Sequence, residues 1–163
     1  MAKETEKLYD LIKDFDTAML VTQRADGALD ARPMQIAGVE KSCDLWFITD
    51  ADTEKVREIE SNPRAEVVAQ DGDSNFVALA GSARVVDDRR KLDELWDKSY
   101  EVWFPEGKAD PRIRLIAFDA ERGEYWDNRG LNRVEYLLES ARARAAGRRP
   151  HVKEGDQHGK TRL

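Results

Sequence analysis

Short apolar runs rich in β-forming residues succeed one another along this chain of 163 residues. Seven are recognisable, at residues 18–23, 31–39, 45–49, 65–70, 76–86, 113–118 and 123–126. Polar turns such as Asp26-Gly27 separate them, and helical patterns interrupt them without the regular alternation of a parallel sheet. The pattern predicts a mainly β protein with flanking helices, folded as an antiparallel β-barrel rather than a doubly wound sheet.

Apolar residues at helical spacing predict helices around these strands. The first covers residues 3–14, another follows the strand at 45–49, a third includes residues 92–104, and the last is centred on 134–141. The length of the chain favours a single domain, which we assign to residues 1–146. Residues 147–163 form a polar tail without periodicity, which we expect to extend over a surface or a partner.

The overall charge of the chain argues against general affinity for nucleic acid or anionic membranes. The net charge is −6 and the isoelectric point is about 5.1. A basic run at residues 142–149 is interpreted as a solvated helix end, and no apolar segment approaches the length of a membrane span. The single cysteine, Cys43, excludes an internal disulfide. We therefore expect a cytoplasmic protein without nucleic-acid or membrane partners.

The segment from Leu45 to Pro63 combines a strand, a turn and a helix start in a way that suits an anion. The strand ends at Thr49, Asp52 or Thr53 can cap the following helix, and Lys55 lies in its first turn. A helix N-terminus presents unpaired N–H groups and the positive end of its dipole. Taken alone, the segment is better explained as an ordinary strand, turn and helix with a solvated lysine.

Arg32 strengthens the prediction of an anion site. Strand alternation places Arg32, Met34 and Ile36 on one otherwise apolar face, where a guanidinium requires an anionic partner. The alternative is that Arg32 faces water or pairs with one of the 33 acidic residues. The strand at 45–49 delivers Thr49 and Lys55 to the same neighbourhood, so two cations, two hydroxyls and a helix start converge there.

Several other chemistries lack the residues they need. The two histidines, His151 and His158, both lie in the tail, so the domain offers no zinc cluster and no Ser-His-Asp set. We expect no metal site. No dinucleotide-binding or phosphate-binding glycine motif is present either. Redox chemistry would therefore depend on a cofactor that brings its own reactivity.

The order of motifs along the chain resembles that of a known family. They cover the chain from the opening helix to about Asn128 and are Arg32-Pro33-Met34, Trp46-Phe47-Ile48-Thr49, Thr53, Lys55, Asn62-Pro63, Gly81, Trp96, Trp103-Phe104-Pro105-Glu106-Gly107, Asp110-Pro111 and Glu124-Tyr125-Trp126-Asp127. In this order they resemble the pyridoxamine 5′-phosphate oxidase-like, FMN-binding split barrels, and in particular their general stress protein branch.

The resemblance implies a homodimer with FMN, or alternatively FAD, in clefts between the subunits. It implies that Arg32 and Lys55 hold the flavin phosphate, and that the hydroxyl of Thr53 contributes to the site. Three more residues would contact the flavin: Met34, Ile48 and Thr49. Trp126 would lie near the flavin, and Ser82 would lie in the strand that lines the partner's side.

Two departures separate the chain from true pyridoxamine phosphate oxidases. Those enzymes carry an arginine where this chain has Glu54, and an Arg-x-His motif where residues 129–135 contain no histidine. We therefore expect an FMN-binding flavoprotein of the general stress protein type, an oxidoreductase on an unknown small molecule with no assigned catalytic residue. The alternatives are a non-catalytic module that binds or sequesters flavin, a pyridoxamine 5′-phosphate oxidase and a deazaflavin-dependent reductase.

Overall fold

One curled antiparallel sheet forms the framework of the protein, with helices on its flanks. The computed structural model describes residues 2–72, 75–129, 131–151 and 157–163. Within these residues the strands are β1 (Thr17–Gln23), β2 (Leu29–Gln35), β3 (Gly38–Val39), β4 (Leu45–Asp50), β5 (Arg64–Gln70), β6 (Phe76–Val86), β7 (Ile113–Trp126) and β8 (His158–Arg162). The helices are α1 (Ala2–Ile12), α2 (Glu54–Ser61), α3 (Arg89–Leu95) and α4 (Leu131–Ala145).

The strand order leaves the sheet open along one side. It runs β2-β1-β5-β6-β7-β4-β3, with β8 added on β7, and every pairing is antiparallel. β2 and β4 lie near each other but are not neighbours in the ladder. The predicted fold class, an antiparallel split barrel with flanking helices, is therefore confirmed, and the split between β2 and β4 is where a ligand can enter.

The core lies between the concave side of the sheet and α1. Leu8, Leu11 and Ile12 of α1 are buried against residues such as Phe47 and Phe118. A second cluster packs at the end of the barrel and holds Ile48, Leu92, Tyr100, Phe104, Ile113 and Leu115. This second cluster fixes the segment after α3 beside the open side of the sheet.

The last two predicted strands are a single strand in the structure. β7 runs without interruption from Ile113 to Trp126, with a bulge opposite Ala80 and Gly81 that leaves Glu121 unpaired in the β6 register. The sequence suggested two strands because the polar stretch at the bulge interrupts the apolar pattern while the backbone continues. Gly81 is required at this point, since a Cβ atom there would lie 2.0 Å from the carbonyl oxygen of Asp119.

The third predicted helix is shorter than expected. α3 ends at Leu95, the backbone of Trp96 is extended, and a 3₁₀ helix occupies Lys98–Val102. Asp97 is the N-cap of this 3₁₀ helix, and its carboxylate accepts a hydrogen bond from the backbone N–H of Ser99. A second 3₁₀ turn covers Gly107–Ala109. Apolar spacing alone could not show this break, because both pieces pack on the same cluster.

The end of the polar tail contributes a strand that the sequence analysis did not predict. β8 pairs with the end of β7, and His158 lies opposite Trp126. Backbone hydrogen bonds hold this strand, and they require no apolar pattern. The expected helix at 134–141 is present within α4, and Val134, Leu137 and Leu138 are exposed on it. Residue 146 as a domain boundary stays a prediction. No helix of the described chain is long and apolar enough to span a bilayer.

Candidate functional site

A cavity of about 620 Å³ lies where β2 and β4 face each other across the open side of the sheet. This volume is typical of sites for small molecules and cofactors, roughly 300–1,000 Å³. Six of the eight residues predicted from the sequence line it: Arg32, Met34, Ile48, Thr49, Thr53 and Lys55. The two segments that carry them, β2 and the β4–α2 connection, are distant in sequence and are brought together by the fold.

Lys55 is a half-buried cation without an anion. Its Nζ donates a hydrogen bond to Thr49 Oγ1 at 3.2 Å, and among the described residues it forms no ion pair. Burial, followed by the nearby charge of Arg32, lowers the pKa of Lys55, while Asp50 and Glu58 oppose the shift. An ammonium group in this position is stabilised by any anion that enters the cavity.

Arg32 has a protein anion in place. Its guanidinium lies 3.1 Å from Glu58 of α2 and donates hydrogen bonds to Thr22 Oγ1 at 2.5 Å and to the carbonyl oxygen of Leu20 at 3.2 Å. The side chains of Arg32 and Glu58 are 21% and 10% exposed. The structure thus shows the alternative interpretation of Arg32, pairing with an acidic residue, although Arg32 also lines the cavity.

Glu58 is kept ionised by its surroundings. Burial would raise the pKa of this carboxyl, but hydrogen bonds with Thr22 and Asp30 and the charge and hydrogen bond of Arg32 hold the pKa below its usual value. The ion pair therefore persists at neutral pH. Arg32 reaches a ligand only by sharing its guanidinium between Glu58 and that ligand.

The start of α2 lacks a side-chain cap. Thr53 occupies the N-cap position, but its side chain makes no cap hydrogen bond and instead donates to the carbonyl oxygen of Asp50 at 3.0 Å. Asp52, the other predicted cap, pairs with Arg57 at 3.0 Å. The N-terminal amides of α2 thus lack the partner that a capping side chain normally provides. They lie beside Lys55, at the cationic end of the cavity.

Aromatic side chains form the other end of the cavity. Tyr100, Trp103 and Phe104 come from the 3₁₀ segment after α3, and the indole of Trp103 is 72% exposed. Gln35 at the end of β2 donates a hydrogen bond to Ser99 Oγ at 3.0 Å, which ties this segment to the cavity wall. From the sequence, Trp103 and Phe104 were assigned to the third helix and to the family motifs but not to the site, and Tyr100 was not identified. The concentration of aromatic residues before Pro105 was the signal that could have found them.

Two predicted site residues lie away from this cavity. Ser82 is in β6, opposite Arg64 and Asp119. Trp126 is at the end of β7, where its ring stacks on that of His158 with 5.3 Å between centroids. Neither joins the other six within one chain. Their assignment to a flavin site depends on a second subunit and stays a prediction.

Comparison with known sequences identifies relatives of the chain. The sequence model of the family described as pyridoxamine 5′-phosphate oxidase like matches residues 3–151. General stress protein 26 of Bacillus subtilis (strain 168) is 29% identical over 81 residues, which are 47% of this chain and 57% of that protein. The match thus spans little more than half of the curated relative.

Solved structures show the same architecture. A structure from Jannaschia sp. CCS1, assigned to general stress protein 26, is 27% identical and superposes with a TM-score of 0.77 over 100% of both chains. The general stress FMN/FAD binding protein from Xanthomonas citri is also 27% identical, with a TM-score of 0.67 over 80% of this chain and 92% of that one. Sequence and structure agree, and the chain belongs to the pyridoxamine 5′-phosphate oxidase-like family, among relatives that are general stress proteins.

Proposed function

We propose that the protein binds a flavin nucleotide, FMN in the first place, in the cavity between β2 and β4. The observation that carries the proposal is Lys55, a half-buried cation without an ion-pair partner in the described chain, beside a helix start that no side chain caps. A phosphate supplies the missing charge and accepts from the free amides. The Xanthomonas citri relative, described as FMN/FAD binding, supports the choice of ligand.

The residues present fit this cofactor. Lys55 and the hydroxyl of Thr49 would hold the phosphate, with Thr53 beside them and Arg32 contributing through the fork that it shares with Glu58. Met34 and Ile48 would supply apolar contacts to the ring system. When bound, a flavin supplies the capacity to accept and donate a hydride. The chain's own part is to bind the phosphate, orient the ring and exclude water from one side of it.

A homodimer is part of the proposal. Ser82 and Trp126 would reach the flavin only from a second subunit, since they do not line the cavity of their own chain. Met19 and Val68 support the idea of an interface, because they lie opposite each other in β1 and β5 and are both 38% exposed. Two apolar side chains that are exposed side by side on the outer sheet surface can contribute to a contact between protein subunits.

A non-catalytic flavin-binding module is the second candidate, and the cavity lining favours it. The described titratable residues of the lining are Arg32, Asp50, Lys55 and Tyr100. Asp50 lies 3.5 Å from Arg112, and burial raises the pKa of Tyr100 to about 12. Arg32 is engaged by Glu58 and Lys55 by the proposed phosphate, so neither is free to transfer a proton to a substrate. The rate at which NAD(P)H reduces the bound flavin, monitored by the flavin absorbance, distinguishes an oxidoreductase from a non-catalytic module. Reduction at a useful rate contradicts the non-catalytic module.

Substitution of the phosphate lysine tests the proposal. Lys55→Ala should weaken the binding of FMN by about 10- to 100-fold, which corresponds to the loss of one charge-assisted hydrogen bond. The binding of riboflavin, which lacks the phosphate, should weaken by less than about threefold. Exposed Lys41→Ala is the matched control and should change neither. Both affinities are measured from the visible absorption and fluorescence of the flavin, with FAD and a deazaflavin titrated alongside. A colourless wild-type protein that binds no FMN, or equal losses for FMN and riboflavin, contradicts the phosphate site.

A further inference from the structure

Tyr100 carries a polar group that finds no partner among the described residues. The residue is 3% exposed and lines the aromatic end of the cavity. Its Oη is buried and makes no hydrogen bond to any described residue. A buried hydroxyl without a partner is costly, and native proteins seldom retain one unless something else satisfies it. Burial and the charge of Asp97 raise the pKa of Tyr100 to about 12, so the hydroxyl keeps its proton and is available as a donor.

The side chains around Tyr100 form an apolar cluster of mutually tilted aromatic rings. Trp96 packs against Tyr100 with 5.7 Å between ring centroids, and Phe104 is buried next to them. Trp103, in contrast, leaves most of its indole in solvent at the cavity wall. Aromatic faces of this kind stack on planar ligands, and an exposed tryptophan at a cavity gains stability when it is covered.

The charges near this end favour a ligand without a phosphate or carboxylate there. Asp97, Glu101 and Glu106 are exposed on the 3₁₀ segment and its flanks, and the nearby exposed cations are Lys98 and Lys108. The cations that line the cavity, Arg32 and Lys55, belong to the β2 and α2 end. An anion at the aromatic end would therefore meet a net negative surface, whereas a neutral carbonyl would accept from the hydroxyl without that penalty.

We propose that the aromatic end of the cavity is a second subsite, which takes a neutral planar aromatic molecule with a carbonyl oxygen that accepts a hydrogen bond from Tyr100 while its ring stacks on Trp103. This inference rests on the proposed function, because it places that molecule beside the flavin. It names the class of substrate or inhibitor that the flavin would face. Tyr100 and Trp103 are then specificity-determining residues for the second ligand, distinct from those that hold the phosphate.

A matched pair of probes separates the hydrogen bond from the stacking. 2,3-Dimethyl-1,4-naphthoquinone has the carbonyls, and 2,3-dimethylnaphthalene has the same ring framework without them. Binding of each is measured by equilibrium dialysis on the FMN-loaded full-length chain and on the flavin-free chain. The variants are Tyr100→Phe and Trp103→Ala, with exposed Tyr136→Phe of α4 as the control. The thermal midpoint of each variant verifies folding, and Tyr100→Phe should not lower it, because the lost hydroxyl has no partner.

The expected pattern is specific to each substitution. Tyr100→Phe should weaken the binding of the quinone about 5- to 10-fold, which is the net contribution of one hydrogen bond, and the binding of the hydrocarbon less than about twofold. Trp103→Ala should weaken both probes, and Tyr136→Phe neither. The dissociation constant of FMN should stay within twofold in Tyr100→Phe.

Three results would overturn the second subsite. They are wild-type protein that binds the quinone no more tightly than the hydrocarbon, quinone affinity unchanged in Tyr100→Phe, and a loss of FMN in Tyr100→Phe as large as that of the quinone. The last would show that the flavin ring itself accepts the hydroxyl. If the proposed function is wrong, the wild-type chain will bind no FMN. The quinone measurements on the flavin-free chain would then still test the second subsite.

Discussion

Two cations line the same cavity, and their surroundings give them different roles. Arg32 is neutralised by Glu58 and held by Thr22, so it contributes to the structure before any ligand arrives. Among the described residues, Lys55 has only the hydroxyl of Thr49 within hydrogen-bond distance. The free energy that a phosphate gains from Lys55 is therefore larger than its gain from Arg32, which must give up part of an existing ion pair.

The Arg32–Glu58 pair makes stability depend on pH in a defined direction. The folded-state pKa of Glu58 lies below its ordinary value, so its contribution is present above the unfolded-state pKa of about 4.3 and is lost as pH falls through the folded-state pKa. Glu58→Gln should cost about 1–2 kcal/mol of unfolding free energy at pH 7 and flatten the acid side of the stability profile.

Urea unfolding between pH 3 and pH 7 measures this effect. Exposed Glu60→Gln in the same helix is the control and should follow the wild-type profile. An acid profile of Glu58→Gln that parallels the wild type would show that the ion pair does not contribute to stability. Release of Arg32 in the same variant should also tighten FMN binding, which an FMN titration at pH 7 tests independently.

At the scale of elements, the site depends on where strands end and how they are joined. β4 ends at Asp50 and α2 begins at Glu54, so only a short connection separates the hydroxyl of Thr49 from Lys55. β2 faces this connection because it is the terminal strand of an open sheet. Backbone geometry therefore fixes the cationic end of the cavity, while the 3₁₀ segment that follows α3 fixes its aromatic end.

The bulge between β6 and β7 is a second element on which the fold depends. Gly81→Ala would place a Cβ atom 2.0 Å from the carbonyl oxygen of Asp119, a backbone atom that cannot move without breaking the ladder. The variant should lose about 2 kcal/mol or more of unfolding free energy. Gly72→Ala, at a turn with open space around its Cα, is the matched control. Chemical denaturation of both checks this, and equal stability of the two variants would refute the close approach.

At the scale of the whole molecule, the proposed second subunit would account for two observations. Met19 and Val68 form an exposed apolar pair on that surface, and Ser82 and Trp126 lie outside the cavity of their own chain. A dimer that covers this surface would explain both observations. It would also close the open side of each cavity with residues from the partner.

Charge introduced at this pair tests the dimer. Met19→Lys combined with Val68→Lys should convert a dimer to a monomer, because the lysine charges would be buried at the interface without anionic partners. Light scattering coupled to gel filtration measures the oligomeric state. Leu29→Lys, on a more exposed strand end, is the control and should leave the oligomeric state unchanged. Dimers that persist in the double variant would place the interface elsewhere.

Local patterns in the sequence predicted most of the strands and helices, and they predicted the neighbourhood of the site. Thr49 and Lys55 are only six positions apart, so one strand and one helix start suffice to bring them together, and the alternation of β2 placed Arg32 and Met34 on one side. The continuity of β7 through its bulge and the break after α3 were missed, because apolar spacing reports burial and not the course of the backbone.

The tertiary structure alone decided which groups have partners. Glu58 lies 26 positions from the arginine that it neutralises, the pairing of β8 with β7 needs no apolar pattern, and Tyr100 reaches the cavity from a segment without regular strand or helix periodicity. These contacts join residues that are remote in the chain, and their free energy depends on distance, burial and competing partners in the folded state. The sequence by itself therefore determined the family, the fold class and the cationic end of the site. Only the fold showed that Arg32 is paired, whereas Lys55 has no ion-pair partner and the Tyr100 hydroxyl no hydrogen-bond partner in the part of the chain that the structure describes.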